Sequence, residues 1–339
     1  MNFDPSDPDH LCAALCAGKR RSPIPIYIPP PTAHTRDPSL TVRPIPKLFA
    51  RIAGFATWCL VASWVTGTYS HVDRLWSITP AVYASVYAYA SGFDARTSTM
   101  AALTWAWGIR LTYNFARKGG YSKGEQDYRW PVLRQHPLLK HPVAWQAFNL
   151  GFIASYQHLL LLLIAWPSSA AFAAKGSELN ALDYVAFASF TFFVIFESTA
   201  DQQQWTFQQS KHRAPGHVRI DALRDDYTRG FLTKGLFKYS RHPNFFAEQC
   251  VWVSYYLFAV AANWDGRSEL FGTGWKETWV RTHGIGAVLL IALFQGSTPF
   301  TESITAGKYP EYREYRKTTS ALVPLPPFGK LRAPAKKAR

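Results

Sequence analysis

The run KYSRHPNFFAEQ places charged and polar side chains where an apolar helix begins. Pro243 suits the first turn of a helix, and Asn244 and Glu248 then lie one turn apart on the same face. The N-terminus of a helix attracts anions such as phosphates, and Arg241 and His242 add positive charge beside it. A basic patch against anionic lipid would explain the cations, but lipid head groups have no use for Asn244 and Glu248. We interpret these residues as the entrance to a cofactor pocket.

A second polar run, FESTADQQQWTFQQSKHR, follows another apolar segment. Glu197 and Asp201 are four residues apart and share a helix face, which Gln204 and Gln208 extend. Carboxylates at the end of a membrane span cost free energy unless they meet a partner or a water-filled cavity. The run therefore predicts either the polar wall of a ligand pocket or a helix whose acids extend toward water as it leaves the membrane.

The C-terminal run KYPEYREYRKTTSALVPLPP repeats tyrosine every three residues, at Tyr309, Tyr312 and Tyr315. One helical face is therefore aromatic, while Lys308 and several arginines lie outside it. An amphipathic helix at the membrane interface is one interpretation. The other is a cytosolic cap, whose aromatic surface binds a flat base and whose cations bind phosphates.

Two further polar positions belong to the first half of the chain. Asp73 lies at the boundary of an apolar segment, and Arg110 lies within one. An arginine inside a span usually has an anionic partner, for which Asp73, Glu197 and Asp201 are candidates. Tyr113 follows Arg110 and is the predicted proton donor or carbonyl clamp, because a phenol can donate a hydrogen bond in a water-poor site.

The composition indicates that lipid surrounds much of the chain. The 339 residues include 13 Trp, 17 Tyr and 23 Phe, and only 17% are charged, against about 25% in soluble domains. The mean hydropathy of −0.11 is lowered by a polar N-terminal stretch and basic loops. Seven apolar segments predict an all-α, polytopic membrane bundle of about seven spans; they are 49–69, 74–92, 98–116, 146–174, 181–199, 245–262 and 284–300.

The domain organisation follows from these segments. We predict a disordered tail over 1–46, a membrane helical domain over 47–327 and a basic tail over 328–339. The net charge is +15, and by the positive-inside rule the basic loops 117–145 and 200–244 face the cytosol with the C-terminus. No nucleic-acid motif accompanies this charge, so nucleic acid is not an expected partner. No metal site, disulfide framework or cleaved signal peptide is predicted.

The motifs together resemble a known family. GLFKYSRHPNFFAEQ followed by YPEYREYRKTTSALVPLPP resembles the C-terminal module of the steroid 5-alpha-reductase family, and more closely its DUF1295 branch. DxxWS at Asp73–Ser77, Arg110 with the EQDYR run, and ExxxDxQ at Glu197–Gln203 resemble the same branch. The resemblance covers about residues 50–327.

This resemblance implies a cofactor pocket that opens to the cytosol, built by the module 185–327. In related sterol reductases the pocket holds NADPH, and residues that bind it match Asp201, Asn244 and Tyr315. Glu248 matches an acid that shapes the pocket. Charge and position add Arg241, His242 and Lys308 to the predicted cofactor-binding set, and Tyr312 joins it from the aromatic face of the C-terminal run.

The expected function is an NAD(P)H-dependent reductase that reduces a carbon–carbon double bond of a steroid or other hydrophobic lipid. The resemblance places it in the endoplasmic reticulum membrane with a cytosolic C-terminus. The alternative is an S-adenosylmethionine-dependent membrane methyltransferase of a lipid or lipidated protein, because isoprenylcysteine carboxyl methyltransferases share an RHP-type motif. A non-enzymatic, lipid-binding membrane protein is the third possibility.

Overall fold

The computed structural model describes residues 45–264, 279 and 281–334. The predicted tail over 1–46 lies outside the described residues except at its last two positions, as do the final five residues of the predicted C-terminal tail. The described chain is helical and contains no β-strand; a single isolated bridge joins Ser240 to Ser320. The expectation of an all-α fold is confirmed for this part of the chain.

The helices are separated by short connections. In chain order they are α1 (Ile45–Thr66), α2 (His71–Trp76), α3 (Thr79–Ala90), α4 (Ala95–Arg117), α5 (Arg129–Arg134), α6 (Pro142–Phe148), a π-helix (Asn149–Tyr156), α7 (Gln157–Ala165), α8 (Pro167–Ala173), α9 (Ala181–His212), α10 (Arg224–Arg229), α11 (Pro243–Asn263), α12 (Ile285–Lys308) and α13 (Tyr312–Thr318). Short 3-10 turns at Asp221–Leu223, Gly235–Lys238 and Thr282–Gly284 precede α10, α11 and α12.

Four helical stretches are long and apolar enough to cross a membrane. They are Pro142–Ala173, Ala181–His212, Pro243–Asn263 and Thr282–Lys308, and they coincide with the last four predicted segments. The second predicted segment is broken between α2 and α3, and the 12 residues of α3 extend only about 18 Å, short of a hydrocarbon core of about 30 Å. The described residues thus supply four candidate spans, and the predicted count of about seven is not confirmed.

The bundle is held by close helix packing around aromatic side chains. The helices α9 and α11 pack along their length, α3 and α4 form a hairpin, and α12 packs against α7. Trp107 of α4 meets Trp252 of α11 edge to face, with ring centroids 4.9 Å apart. A Cβ atom at Gly286 would lie only 2.1 Å from the carbonyl oxygen of Leu163. Only glycine therefore allows α12 to approach α7 this closely.

The longest helix, α9, is fixed firmly at its start. The side chain of Asn180 accepts a hydrogen bond from Leu182 N, and Asp183 accepts one from Asn180 N, which together form a capping box. Both oxygens of Asp183 also accept 2.8 Å hydrogen bonds from Arg96, a buried residue near the start of α4. These contacts set the position and rotation of α9, and so direct the carboxylates of its second half.

The start of α11 is held by the C-terminal segment. Arg241 N donates to Ser320 O at 2.8 Å, and His242 N donates to Ala321 O at 3.1 Å. Leu325 N donates to Tyr239 O at 3.0 Å, which adds a third backbone hydrogen bond between these two segments. The residues immediately before Asn244 are therefore positioned by chain that follows α13.

Candidate functional site

A cavity of about 770 Å³ lies inside the helical bundle. One part of its wall is polar, with side chains from α2, α4, α5, α9 and α11: Asp73, Ser77, Asn114, Lys118, Asp127, Arg129, Glu197, Asp201, Asn244 and Glu248. The rest is mainly aromatic and aliphatic: Trp76, Leu111, Phe115, Trp130, Leu133, Phe148, Phe152, Tyr156, Phe245, Ala292, Leu293, Phe294 and Phe300. The size is typical of a site for a small organic molecule.

Asp201 is the centre of the polar wall. Its Oδ2 atom accepts hydrogen bonds from Arg110 Nη1 and from Asn114 Nδ2, each at 2.8 Å. Its Oδ1 atom accepts a longer bond of 3.4 Å from Asn244 Nδ2 and lies 4.0 Å from Lys118 Nζ. A buried carboxylate needs such partners, because without them its loss of hydration is not compensated.

Two further carboxyl groups lie beside it. Glu197, one turn before Asp201 on α9, is 2.6 Å from Arg110 Nη2. Glu248 accepts a hydrogen bond on each oxygen, from Trp107 Nε1 at 2.8 Å and from Trp252 Nε1 at 3.0 Å. Arg110 therefore has the carboxylate partners that its place in an apolar helix predicted, although Asp73 is not one of them.

Lys118, just beyond the end of α4, is the cation nearest to Asp201. Its side chain keeps 42% of its surface accessible, since it extends along the cavity. The amine nevertheless loses part of its hydration among the surrounding helices, and this lowers its pKa. The negative charge of Asp201 only partly opposes this shift of the pKa. Lys118 can therefore lose its proton at a lower pH than an ordinary lysine.

The chain around α5 supplies another polar group. Trp130 Nε1 donates to Asp73 Oδ2 at 3.1 Å. Arg129 binds Asp127 through Nε at 2.8 Å and through Nη2 at 3.1 Å, and Asp127 N donates to Ser70 Oγ at 2.9 Å. These contacts attach the EQDYR run to the start of α2 and bring Asp73 to the cavity.

The apolar wall includes a ladder of stacked rings. Phe148, Phe152 and Tyr156 lie four residues apart, and their successive ring centroids are 5.0 and 5.4 Å apart, with interplanar angles of 19° and 12°. The segment from Asn149 to Tyr156 is π-helical, an uncommon geometry that occurs often at functional sites. A flat or extended apolar molecule could lie along these rings.

A second polar cluster surrounds Glu302 of α12. Its Oε1 atom lies 2.5 Å from Arg241 Nε and 3.1 Å from His242 Nε2, and its Oε2 atom lies 3.0 Å from Arg316 Nε. Tyr312 donates to Oε1 at 3.4 Å. Arg241, His242 and Tyr312 are not part of the cavity wall. In this structure they join α11, α12 and α13.

The remaining predicted residues are also outside the cavity wall. Tyr315 is buried, stacks on Phe231 at 5.5 Å and donates its hydroxyl to Phe237 O. Lys308 lies over the ring of Tyr309 at 5.4 Å. Tyr113 has 65% of its surface exposed and faces Arg117.

The match to known proteins covers this site. The family model described as "Protein of unknown function (DUF1295)" matches residues 58–319, a range that contains every residue of the cavity wall. The chain belongs to this family. The DUF1295 chain is also 37% identical over 289 residues to the uncharacterized protein C594.04c of Schizosaccharomyces pombe, which covers 82% of this chain and 78% of that protein. No solved structure matches.

The resemblance to DUF1295 is thereby confirmed. Of the predicted cofactor-binding residues, this DUF1295 protein brings Asp201, Asn244 and Glu248 together at one cavity. Sequence reasoning missed Asn114 and Lys118, although Asn114 lies one turn after Arg110 and shares its face. It also assigned no role to Asp127 and Arg129, although both belong to the EQDYR run that resembles the family.

Proposed function

We propose that this DUF1295 protein is a membrane-embedded, NAD(P)H-dependent reductase that reduces a carbon–carbon double bond of a steroid or other lipid. One observation carries the proposal. A single cavity joins a wall of cations, carboxamides and carboxylates to a long aromatic wall. A reaction between a polar cofactor and an apolar substrate requires both surfaces within reach of each other.

The polar wall fits a nicotinamide cofactor in its donor types. Lys118 offers positive charge for phosphates, beside Arg129 in its ion pair with Asp127, and Asn114 and Asn244 offer amide groups for the nicotinamide carboxamide or a ribose. The cofactor would supply a hydride when bound. The residues of the chain would hold it, exclude water and deliver a proton to the substrate.

The proposal includes the orientation of the protein. The basic chain from 200 to 244, which connects two candidate spans, would face the cytosol, and the C-terminus with it. We place this orientation in a bundle of about seven spans in the endoplasmic reticulum membrane. In that bundle α1, α3 and α4 add to the four candidate spans. Cytosolic NADPH would then reach the polar wall directly.

A methyltransferase that uses S-adenosylmethionine is the second candidate, and the charge balance of the cavity favours it. Five carboxyl groups line the wall, against the two cations of Lys118 and Arg129 and the neighbouring Arg110. A sulfonium cation is attracted to carboxylates, and it carries no phosphate that would need lysine or arginine.

Binding of the cofactor distinguishes the candidates. The detergent-purified protein is titrated with NADPH, NADH and S-adenosylmethionine in parallel, and quenching of tryptophan is followed, since Trp76 and Trp130 line the cavity. Saturable quenching by NADPH that Asn244→Ala weakens at least tenfold supports the reductase. Asn263→Ala, at the other end of α11, is the matched control and should bind as the wild type does. Saturable binding of S-adenosylmethionine alone would replace the reductase with the methyltransferase.

A further inference from the structure

The carboxyl groups of the cavity differ in what neutralises them. Arg129 binds Asp127 through two nitrogens, and Arg110 contacts both Glu197 and Asp201. Each of these three carboxyl groups therefore has a guanidinium cation in direct contact with it.

Asp73 differs from these three carboxyl groups. Within residues 45–264 and 281–334, no lysine, arginine or histidine lies in ion-pair range of its oxygens. Trp130 donates to Oδ2 at 3.1 Å, and the Ser70 hydroxyl also bonds the carboxyl group. Glu248 shares the absence of an ion pair, but indole N–H groups occupy both of its oxygens. Asp73 thus combines a wall position with freedom from a counter-ion.

Titratable side chains near Asp73 lie on three parts of the chain, and one of them, Arg74, is directed away from it. Arg129 and Asp127 lie on the chain around α5, and their charges largely offset each other as an ion pair. Cys59 approaches from α1 and is buried. On α2 itself, Arg74 is directed away, since its guanidinium donates to the carbonyls of Gly120, Ser122 and Glu125.

Burial raises the pKa of Asp73, the charge of Arg129 opposes this in part, and Asp127 adds to it. The protonated carboxyl is therefore retained to a higher pH than in an ordinary aspartate. A carboxyl group with a raised pKa beside an apolar wall can act as a general acid.

We propose that Asp73 is the proton donor of the reduction, in the place for which Tyr113 was predicted. The inference rests on the proposed function, in which a two-electron reduction adds one hydride and one proton across the double bond. The carboxyl O–H bond of Asp73 breaks as the second C–H bond of the substrate forms. The resulting carboxylate then takes a proton from water that enters the polar side of the cavity.

Three variants test the proposal. Asp73→Asn keeps the shape and an acceptor for Trp130, Asp73→Glu keeps the acid, and Asp225→Asn removes an exposed acid elsewhere as the control. Infrared spectra of the detergent-purified proteins follow the carbonyl stretch of protonated carboxyl groups against pH. NADPH binding is measured by tryptophan quenching, and NADPH oxidation is measured with a steroid enone and an acyl enone as probes.

We expect the wild type and Asp225→Asn to keep a protonated carboxyl band above the pH range in which ordinary aspartates titrate, and Asp73→Asn to lack that band. Asp73→Asn should bind NADPH as the wild type does and reduce either probe at least about 100-fold more slowly, while Asp73→Glu should recover part of the rate with a shifted pH profile. Wild-type spectra without that band, or full activity of Asp73→Asn, would overturn the assignment and leave the reductase intact. Failure of the wild type to bind NADPH would instead overturn the proposed function, whatever the spectra show.

Discussion

The side-chain amide of Asn244 donates to Oδ1 of Asp201 at 3.4 Å, although 43 residues separate them. This contact joins the first turn of α11 to the second half of α9 at the polar wall of the cavity. The same Asp201 also accepts from Arg110 and Asn114 of α4. Three helices therefore meet at one carboxylate, and a change there should affect both the packing and any ligand.

Removal of the Asp201 carboxylate should destabilise the bundle. Asp201→Ala leaves Arg110 with Glu197 as its remaining ion-pair partner and leaves Asn114 without its acceptor. We expect a loss of about 3 kcal/mol, the usual cost of breaking a buried pair, seen as a lower midpoint of thermal unfolding in detergent. Asp225→Asn, an exposed acid, should unfold as the wild type does. Equal midpoints for Asp201→Ala and the control would show that the carboxylate is not needed for packing.

The Arg241 cluster should contribute to stability more than to ligand binding. Arg241→Ala leaves Glu302, only 2% exposed, with fewer partners, and it removes donors to the carbonyls of Arg316 and Thr319. The expected cost is about 3–5 kcal/mol, measured by thermal unfolding. Protein that remains folded should quench with NADPH at the wild-type Kd. A folded Arg241→Ala protein without NADPH binding would return Arg241 to the cofactor-binding set.

Lys118 should give cofactor binding an alkaline limit. Because burial lowers its pKa, the amine loses its positive charge below the usual range of lysine as the pH rises, and phosphate binding weakens with it. We expect the Kd for NADPH to increase over that range in the wild type, but not in Lys118→Gln, which binds weakly throughout. Lys118→Arg should remain charged and bind at high pH. A wild-type Kd that does not change below the ordinary pKa of lysine would contradict this role.

Asp73→Asn should be at least as stable as the wild type, and its advantage should grow with pH. A raised pKa means that the folded state binds the proton more tightly than the unfolded state. The wild type therefore loses stability as the pH rises from the ordinary pKa of aspartate to the raised one, whereas asparagine has no charge to bury. Thermal unfolding at several pH values measures the difference. A stability difference that shrinks with rising pH would exclude a raised pKa.

Two glycines of α12 provide a matched pair for packing. Gly286→Ala puts a methyl group 2.1 Å from the Leu163 carbonyl oxygen, whereas a Cβ at Gly296 meets nothing within 4 Å. We expect Gly286→Ala to lower stability by about 1–3 kcal/mol through overpacking, and Gly296→Ala to leave it unchanged or slightly higher. Thermal unfolding of the two variants side by side decides this. Similar midpoints would mean that α12 and α7 can separate without cost.

The sequence predicted the structure best where apolar segments were long and where interacting residues were close in the sequence. The last four apolar segments coincide with the four candidate spans, since a long apolar run without charges has few other structures. The second segment was misjudged because hydropathy does not reveal the break between α2 and α3. Asp201 and Asn244 were assigned to one pocket, and they do contact each other.

Long-range pairing explains what the sequence did not reveal. The run around Arg241 pointed to phosphate, but its guanidinium is occupied by Glu302, 61 residues later. Asn114 contacts Asp201 across 87 residues, and its only signal in the sequence is its place one turn after Arg110. The roles predicted for the residues outside the cavity wall stay predictions; these residues are Arg241, His242, Tyr312, Tyr315, Lys308 and Tyr113.

The pairing of Arg241 and His242 with Ser320 and Ala321 affects how the protein is made. During synthesis α9 and α11 can pack as soon as both have left the ribosome, yet the backbone partner for the residues before Asn244 is translated about 80 residues later. The backbone contacts that hold the start of α11 are therefore completed only after Ser320 and Ala321 have emerged. A message that stops before Ser320 would encode all four candidate spans but neither partner of this backbone pairing.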